Sequence, residues 1–287
     1  MPDSRAGVLV VHLGGLGDIC LAESIFLSLR GHFGPCLVGL GNRRFFDLFP
    51  AYFTKTYGVE SRHWLYLFSE KLTGADFRRI IFIGKDRQGS IRKRWAAYSR
   101  EELIFIDMYP DGAFPGPGTK SSASPHERLH IEEYQLRQLR KFGIEPVRAG
   151  VGSAKPGPVI LYPEKGFAKG KWPPEHFLAL RDSLEKDETG TVVLKPADVE
   201  FPGESIVIHE LAAVKELFSR GGIFVSNDSG MAHLAGACGL TTITVFTDFD
   251  PVVWHPRGNN ISLKQGVDNV GPGAIARIIE ALPLSQY

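Results

Sequence analysis

The chain has 287 residues, 43% hydrophobic and 23% charged, with a formal net charge of +1. That length fits one large or two ordinary globular domains, and the near-neutral balance excludes a global field for nucleic acid or a membrane surface. The apolar run after Arg5 is too short for a secretory leader, and no stretch approaches the roughly 20 apolar residues of a membrane span, so the expected location is the cytoplasm. Cys20, Cys36 and Cys238 are odd in number and lack metal-ligand spacing, which reads as reduced thiols and neither a disulfide framework nor a zinc site.

Strands alternate with helices in both halves, the pattern of parallel α/β layers. In the first half, strands are expected over 7–13, 37–40, 80–83 and 103–106. A helix is expected over 19–30, with Leu21, Ile25 and Leu29 at helical spacing. Between the first strand and that helix the chain reads HLGGLGDIC, in which Gly14, Gly15 and Gly17 leave a bare backbone ahead of Asp18. The glycine spacing is not G-x-G-x-x-G, and no acidic residue closes the second strand near Leu40, so a dinucleotide reading is weak. Asp18 stands at a helix start, where the dipole favours a carboxylate; it is either a general base or a helix cap.

Between Arg78 and Arg100 eight basic residues face one acidic residue, Asp86. This local field would suit an anionic acceptor or an anionic membrane surface, or be a solvated face. The Pro/Gly/Ser-rich stretch 111–125 reads as a mobile loop, followed by a helix over 127–142 that ends at Gly143. Gly and Pro punctuate 150–158, the expected hinge between domains 1–150 and 151–287.

In the second half, strands are expected over 159–162, 191–194, 205–208, 222–226 and 241–246, and helices over 174–186, 210–219, 229–237 and 273–281. After the first of these strands, Lys165, Lys169 and Lys171 precede Trp172 and two prolines suited to a helix's first turn, a setting for diphosphate. The stretch GIFVSNDSGMAHLAGACG runs from a strand through Asp228, Ser229 and Gly230 into a small-residue helix, which is either an anion-ready N-terminus or an ordinary capped helix. His233 falls one turn further on, within reach of a phosphate held there, and Met231 reads as packing with a backbone N–H turned to the ligand. Asp248, Asp250, Trp254 and His255 follow the last strand, and spacing alone does not rank them. Two such α/β halves imply a cleft with ligands at the strands' carboxyl ends.

Four stretches together resemble the heptosyltransferase family, glycosyltransferases that move heptose from ADP-heptose onto the inner core of lipopolysaccharide. They are VLVVHLGGLGDICLAESIFLSLR, HERLHIEEYQLRQLRKFGIEP, KGKWPPEHFLAL, and NDSGMAHLAGACG with VFTDFDPVVWHPRG. The resemblance implies a GT-B architecture of two Rossmann-like domains, the first on the acceptor side with the loop Gly14, Gly15 and Gly17, the second binding the nucleotide sugar. It makes Asp18 the base that deprotonates the acceptor for inverting transfer. One of Lys169 or Lys171 would neutralise the leaving diphosphate, Asp228 would hold sugar hydroxyls, and Ser229, Gly230, Met231 and His233 would complete the donor site. No metal and no cofactor are implied, since lysine and a helix dipole do a cation's work. The implied partners are a nucleotide-diphosphate sugar and an anionic glycan or glycolipid acceptor, at the inner face of the cytoplasmic membrane. The sequence departs from the family pattern at Thr242, Thr247 and the lysine-to-tryptophan spacing. A non-catalytic nucleotide-sugar or glycan-binding protein of the same fold is the alternative.

Overall fold

The structure, a computed structural model, describes residues 7–68, 77–99, 101–110, 128–164, 172–187 and 189–282. The chain divides into two compact units, Met1–Asp111 with Ile131–Ala149, and Gly112–His130 with Gly150–Tyr287. The loop 111–125 and the lysine segment with Lys165, Lys169 and Lys171 lie outside the described residues.

In the first unit, β1 (Val8–His12) leads into α1 (Leu16–Leu21), α2 (Glu23–Phe33), β2 (Leu37–Gly41), α3 (Arg43–Phe46) and β3 (Lys55–Gly58). The unit continues with β4 (Arg79–Gly84), α4 (Ser90–Trp95), β5 (Ile104–Asp107) and α5 (Ile131–Leu139). All strand pairs are parallel, in the order β3-β2-β1-β4-β5. Every residue of β1 is buried, as a central parallel strand covered on both faces must be. The expected helix over 19–30 is two helices. It begins earlier, at Leu16, and is interrupted at Ala22, whose N–H is shared between the carbonyls of Asp18 and Ile19. The helix expected over 127–142 is α5, extended by a 3₁₀ turn to Phe142; it ends at Gly143 with φ of 68°, the left-handed terminus that glycine adopts without strain.

The second unit runs β6 (Val159–Tyr162), α6 (Pro174–Lys186), β7 (Thr191–Lys195), β8 (Ile206–Val207), α7 (Leu211–Ser219) and β9 (Ile223–Asn227). Then come α8 (Gly230–Ala237), β10 (Thr241–Phe246), α9 (Pro251–Trp254), β11 (Asn260–Lys264) and α10 (Pro272–Glu280). The six strands are parallel, in the order β11-β10-β9-β6-β7-β8. Counted from β6, this is the doubly wound order 3-2-1-4-5-6 of a Rossmann sheet. One face packs Val159, Leu161, Ile223, Val225, Ile243 and Val245 against α6 and α10, with Trp172 and Phe177 in the same core. Alternation then places Thr242 and Thr244 of β10, both fully buried, on the opposite face, with Phe224 and Ser226.

Candidate functional site

The sequence motifs occupy the same place in both topologies. Chain order reverses between β1 and β4 in the first unit and between β6 and β9 in the second, and open parallel sheets bind ligands beyond the carboxyl ends of strands at such points. The glycine-aspartate turn leaves β1, and Asp228, Ser229 and Gly230 leave β9. The lysine segment follows β6 and Glu164.

In the first unit, Asp18 is the third residue of α1, and its Oδ2 accepts the N–H of Gly15, the residue capping that helix, at 2.8 Å. Oδ1 has no hydrogen-bond partner among the described residues. Burial raises the carboxyl above its ordinary value and outweighs the opposing bond from Gly15, so Asp18 is a stronger base than an exposed aspartate. Gly14 donates its N–H to His12 Nδ1 at 3.3 Å, which leaves the imidazole proton on Nε2, a buried atom without a partner among the described residues. A Cβ at Gly14 would lie 2.7 Å from Asp18 Cβ, 2.8 Å from Asp18 Oδ2 and 2.8 Å from His12 Cε1. Only a glycine fits between those two side chains. Gly15 is less constrained, and Gly17 lies inside α1, so the bare loop is Gly14–Gly15 alone.

Several of the basic residues after Arg78 are neutralised by acids outside their own stretch. Arg78 and Arg79 both pair with Glu101, at 2.8 and 2.7 Å, and Lys85 stands 3.9 Å from Asp107. Arg92 lies over the Phe105 ring and Arg94 donates to the Phe68 carbonyl. Arg87 and Asp18 both act on the Tyr109 phenol, which burial raises, so this tyrosine and arginine share the neighbourhood of Asp18.

In the second unit, Ser229 caps α8 with extended backbone, its Oγ accepting the Ala232 N–H at 3.3 Å. The N–H groups of Gly230 and Met231 have no intrahelical acceptor by geometry. Asp228 donates its backbone N–H to Val245 of β10, which anchors the turn to the sheet. His233 is buried, and its Nδ1 has no partner among the described residues. Burial, with His130 and His255 nearby, lowers it to about 3, so the imidazole is neutral at pH 7. His130 and His255 stack with ring centroids 3.9 Å apart, and His130 Nε2 is 2.9 Å from the His255 carbonyl. Asp250 caps α9 and pairs with Arg128, while Trp254 is buried. No group of three or more His, Cys, Asp or Glu residues among the described residues is arranged to hold a metal.

Asn227, which sequence reasoning did not single out, ties the end of β9 to the segment before α6. Its Oδ1 accepts the Trp172 N–H at 2.8 Å and its Nδ2 donates to the Trp172 carbonyl at 3.1 Å, all buried. Trp172 Nε1 in turn donates to the Val270 carbonyl at 2.6 Å. One side chain thereby fixes the entry to α6 against the end of β9, one residue before Asp228. The signal in the sequence is an amide in the last position of a buried strand, where a polar side chain needs a specific partner. Asn227→Ala strands a buried N–H and a buried carbonyl, and is expected to cost about 2–5 kcal/mol. Urea unfolding checks this; an unshifted midpoint would contradict the clamp.

A model of glycosyltransferase family 9, the heptosyltransferases, matches residues 123–266, half of the chain. The chain belongs to glycosyltransferase family 9. The matched span holds the lysine segment, Asn227, the Asp228–His233 turn and α9 of this family 9 chain. Escherichia coli heptosyltransferase WaaC, solved with ADP, superposes with a TM-score of 0.66 at 16% identity, over 95% of this chain and 98% of its own. A glycosyl transferase family 9 protein from Veillonella parvula gives 0.65 at 14% identity, covering 96% and 92%. Escherichia coli ADP-heptose lipopolysaccharide heptosyltransferase II gives 0.61 at 14%, covering 96% and 98%. At these identities the likeness shows the shared GT-B fold of two parallel-sheet domains. Among curated proteins, none matches this sequence.

Neutral histidines make this family 9 chain sensitive to acid. Burial lowers His12 to about 4 and His233 to about 3, whereas in the unfolded chain each titrates near 6.5. The unfolded state therefore binds more protons in that window, so stability is complete above about pH 6.5 and falls as pH drops towards 4 and 3. Acidification from pH 6.5 to 5 is expected to cost about 2 kcal/mol per histidine. His12→Asn, which keeps an acceptor for Gly14, should recover its share in thermal unfolding at pH 5; an identical pH dependence in the variant would contradict this.

Proposed function

We propose that the chain is an inverting, metal-independent glycosyltransferase. It moves heptose or a related sugar from a nucleoside-diphosphate sugar, with ADP-heptose the first candidate, to lipopolysaccharide or another anionic glycan or glycolipid. The observation that carries the reading is the placement of an aspartate with a raised carboxyl in one Rossmann-like unit and a capped, anion-ready helix start in the other, each at its sheet's reversal point. Asp18 takes the proton of the acceptor hydroxyl. The acceptor oxygen forms its bond to the anomeric carbon as the bond from that carbon to the diphosphate oxygen breaks, with inversion, and the nucleoside diphosphate leaves. The first turn of α8, with Ser229, Gly230, Met231 and His233, receives the charge that develops on the leaving group, and Asp228 holds the sugar hydroxyls. Lys169 or Lys171 supplies the cation. A neutral His233 contributes a hydrogen bond and no charge.

The first unit is the acceptor side and the second, from residue 151, the donor side. Among the described residues no helix is long and apolar enough to cross a membrane. We place the enzyme in the cytoplasm, meeting glycolipid at the inner membrane face.

Thermal unfolding with a panel of nucleoside diphosphates tests the donor side. ADP at 100 times its dissociation constant should stabilise the fold by about 2.7 kcal/mol, a rise of a few degrees. No shift with any nucleoside diphosphate would sink the donor assignment.

A further inference from the structure

A cavity of about 450 Å³ opens in the first unit beside the Gly14–Gly15 backbone. Its side-chain wall is Leu13, Phe45, Val59 and Phe68, with Asn42 the polar contributor. Among the described residues, none that lines it is charged. The Asn42 Oδ1 is already engaged in capping α3, accepting the Arg44 N–H at 3.1 Å. Leu13, directly after the fully buried β1, leaves 43% of its surface exposed, an apolar group held at a ligand-sized opening.

Gly14 belongs to this cavity and to the Asp18 site at once. The position of its missing Cβ is 2.8 Å from Asp18 Oδ2, so a single bare residue separates the apolar wall from the carboxylate. A group seated in the cavity therefore lies beside the hydroxyl that Asp18 would deprotonate. An anionic sugar does not suit this wall, because a charge lodged there would lose its hydration against Phe45, Val59 and Phe68 without a counter-charge among the described lining residues.

We propose that this cavity is an acceptor subsite for an uncharged, apolar substituent, an alkyl or aryl aglycone borne by the sugar that receives the transferred residue. The inference rests on the glycosyltransferase reading of Asp18 and narrows its acceptor class. The acceptor presents an apolar aglycone next to the reacting hydroxyl, and its anionic groups lie further away, towards the cations beyond β4. The aglycone buries against Leu13 and the two phenylalanines, which orients the hydroxyl at Asp18 by hydrophobic contact.

Calorimetry on the full chain with octyl β-glucoside and methyl β-glucoside, both below micellar concentration, tests the subsite, with the ADP thermal shift run in parallel. Octyl glucoside should bind at least tenfold more tightly than methyl glucoside. Leu13→Asp, a change at an already exposed position, should abolish that preference while the ADP shift persists. Equal affinities for the two glucosides, or a preference that survives Leu13→Asp, would overturn the subsite and leave the donor reading standing if ADP still stabilises. Absence of the ADP shift would overturn the reading on which the acceptor assignment depends, and the assignment with it. A dimer dispersed by Leu13→Asp, with no glucoside preference, would make the cavity a self-association surface and also overturn the proposal.

Discussion

Asp18→Asn is expected to lower kcat by about 10²–10⁴-fold, the range for loss of a positioned general base. ADP binding should be unchanged, because the donor contacts proposed here lie in the other unit. The same substitution should leave the fold as stable or make it more stable at neutral pH. A carboxyl raised by burial contributes stability that is present below the ordinary aspartate pKa and lost as pH rises through its folded value, so at pH 7 the ionised group is a cost. An asparagine keeps the acceptor for the Gly15 N–H without that charge. Activity runs the other way with pH: the base works only when deprotonated, so kcat/KM should be present above the Asp18 pKa and fall as pH drops through it. Because that value is raised, the acid limb should lie above the ordinary carboxylate range. Wild-type turnover in Asp18→Asn would remove the aspartate from the chemistry and reduce it to the helix cap it also is.

Gly14→Ala is expected to harm both activity and stability, since its methyl group arrives 2.7–2.8 Å from atoms of Asp18 and His12. The nearest atoms are a Cβ and a buried ring, neither of which swings aside freely. Overpacking of this kind costs about 1–3 kcal/mol. A carboxylate displaced by about 1 Å costs on the order of 10²-fold in rate. Gly15→Ala is the internal control, because its nearest contact is 3.7 Å and leaves room for a methyl. Parallel kinetics and thermal unfolding of the two variants read the difference. Equal losses would mean that bare backbone as such, and not the space between His12 and Asp18, is what the turn requires.

Much of the second unit was legible residue by residue. β6, α6 and β10 coincide with their expected bounds because apolar β-forming runs and a proline-started helix are punctuated by glycine and proline. The capped start of α8 was legible because N-cap chemistry is local, though Asp228 and Ser229 are both cap types and the helix, expected from 229, begins at Gly230 with Ser229 as its cap. Short elements were not. α3, β3, α4, α9 and β11 are four to six residues long, and β3 and β11 are edge strands with mixed polar faces that give no periodic signal. The break at Ala22 was illegible for another reason: every residue around it is compatible with a continuing helix.

At the site, the glycine-aspartate and serine-glycine turns were visible because their chemistry lies within a few residues of chain. The raised state of Asp18 was not, since helix position argues for a stabilised carboxylate and burial reverses it. Asn227 clamps a backbone 55 residues away, and His130 stacks on a ring 125 residues away, relations that only the folded sheet creates. The same holds for the cavity beside Gly14, whose walls come from the ends of three strands, from α3 and from a 3₁₀ turn.

Acceptor-dependent ADP release from ADP-heptose decides whether this family 9 chain transfers a sugar with Asp18 as base. Wild type and Asp18→Asn are compared side by side with a lipopolysaccharide-core glycolipid as acceptor. The expected result is one ADP per glycosidic bond formed, an inverted anomeric configuration in the product, and release in Asp18→Asn lowered by at least about 10²-fold. ADP-heptose that binds but yields no acceptor-dependent ADP in the wild type, or equal release from both proteins, would contradict it.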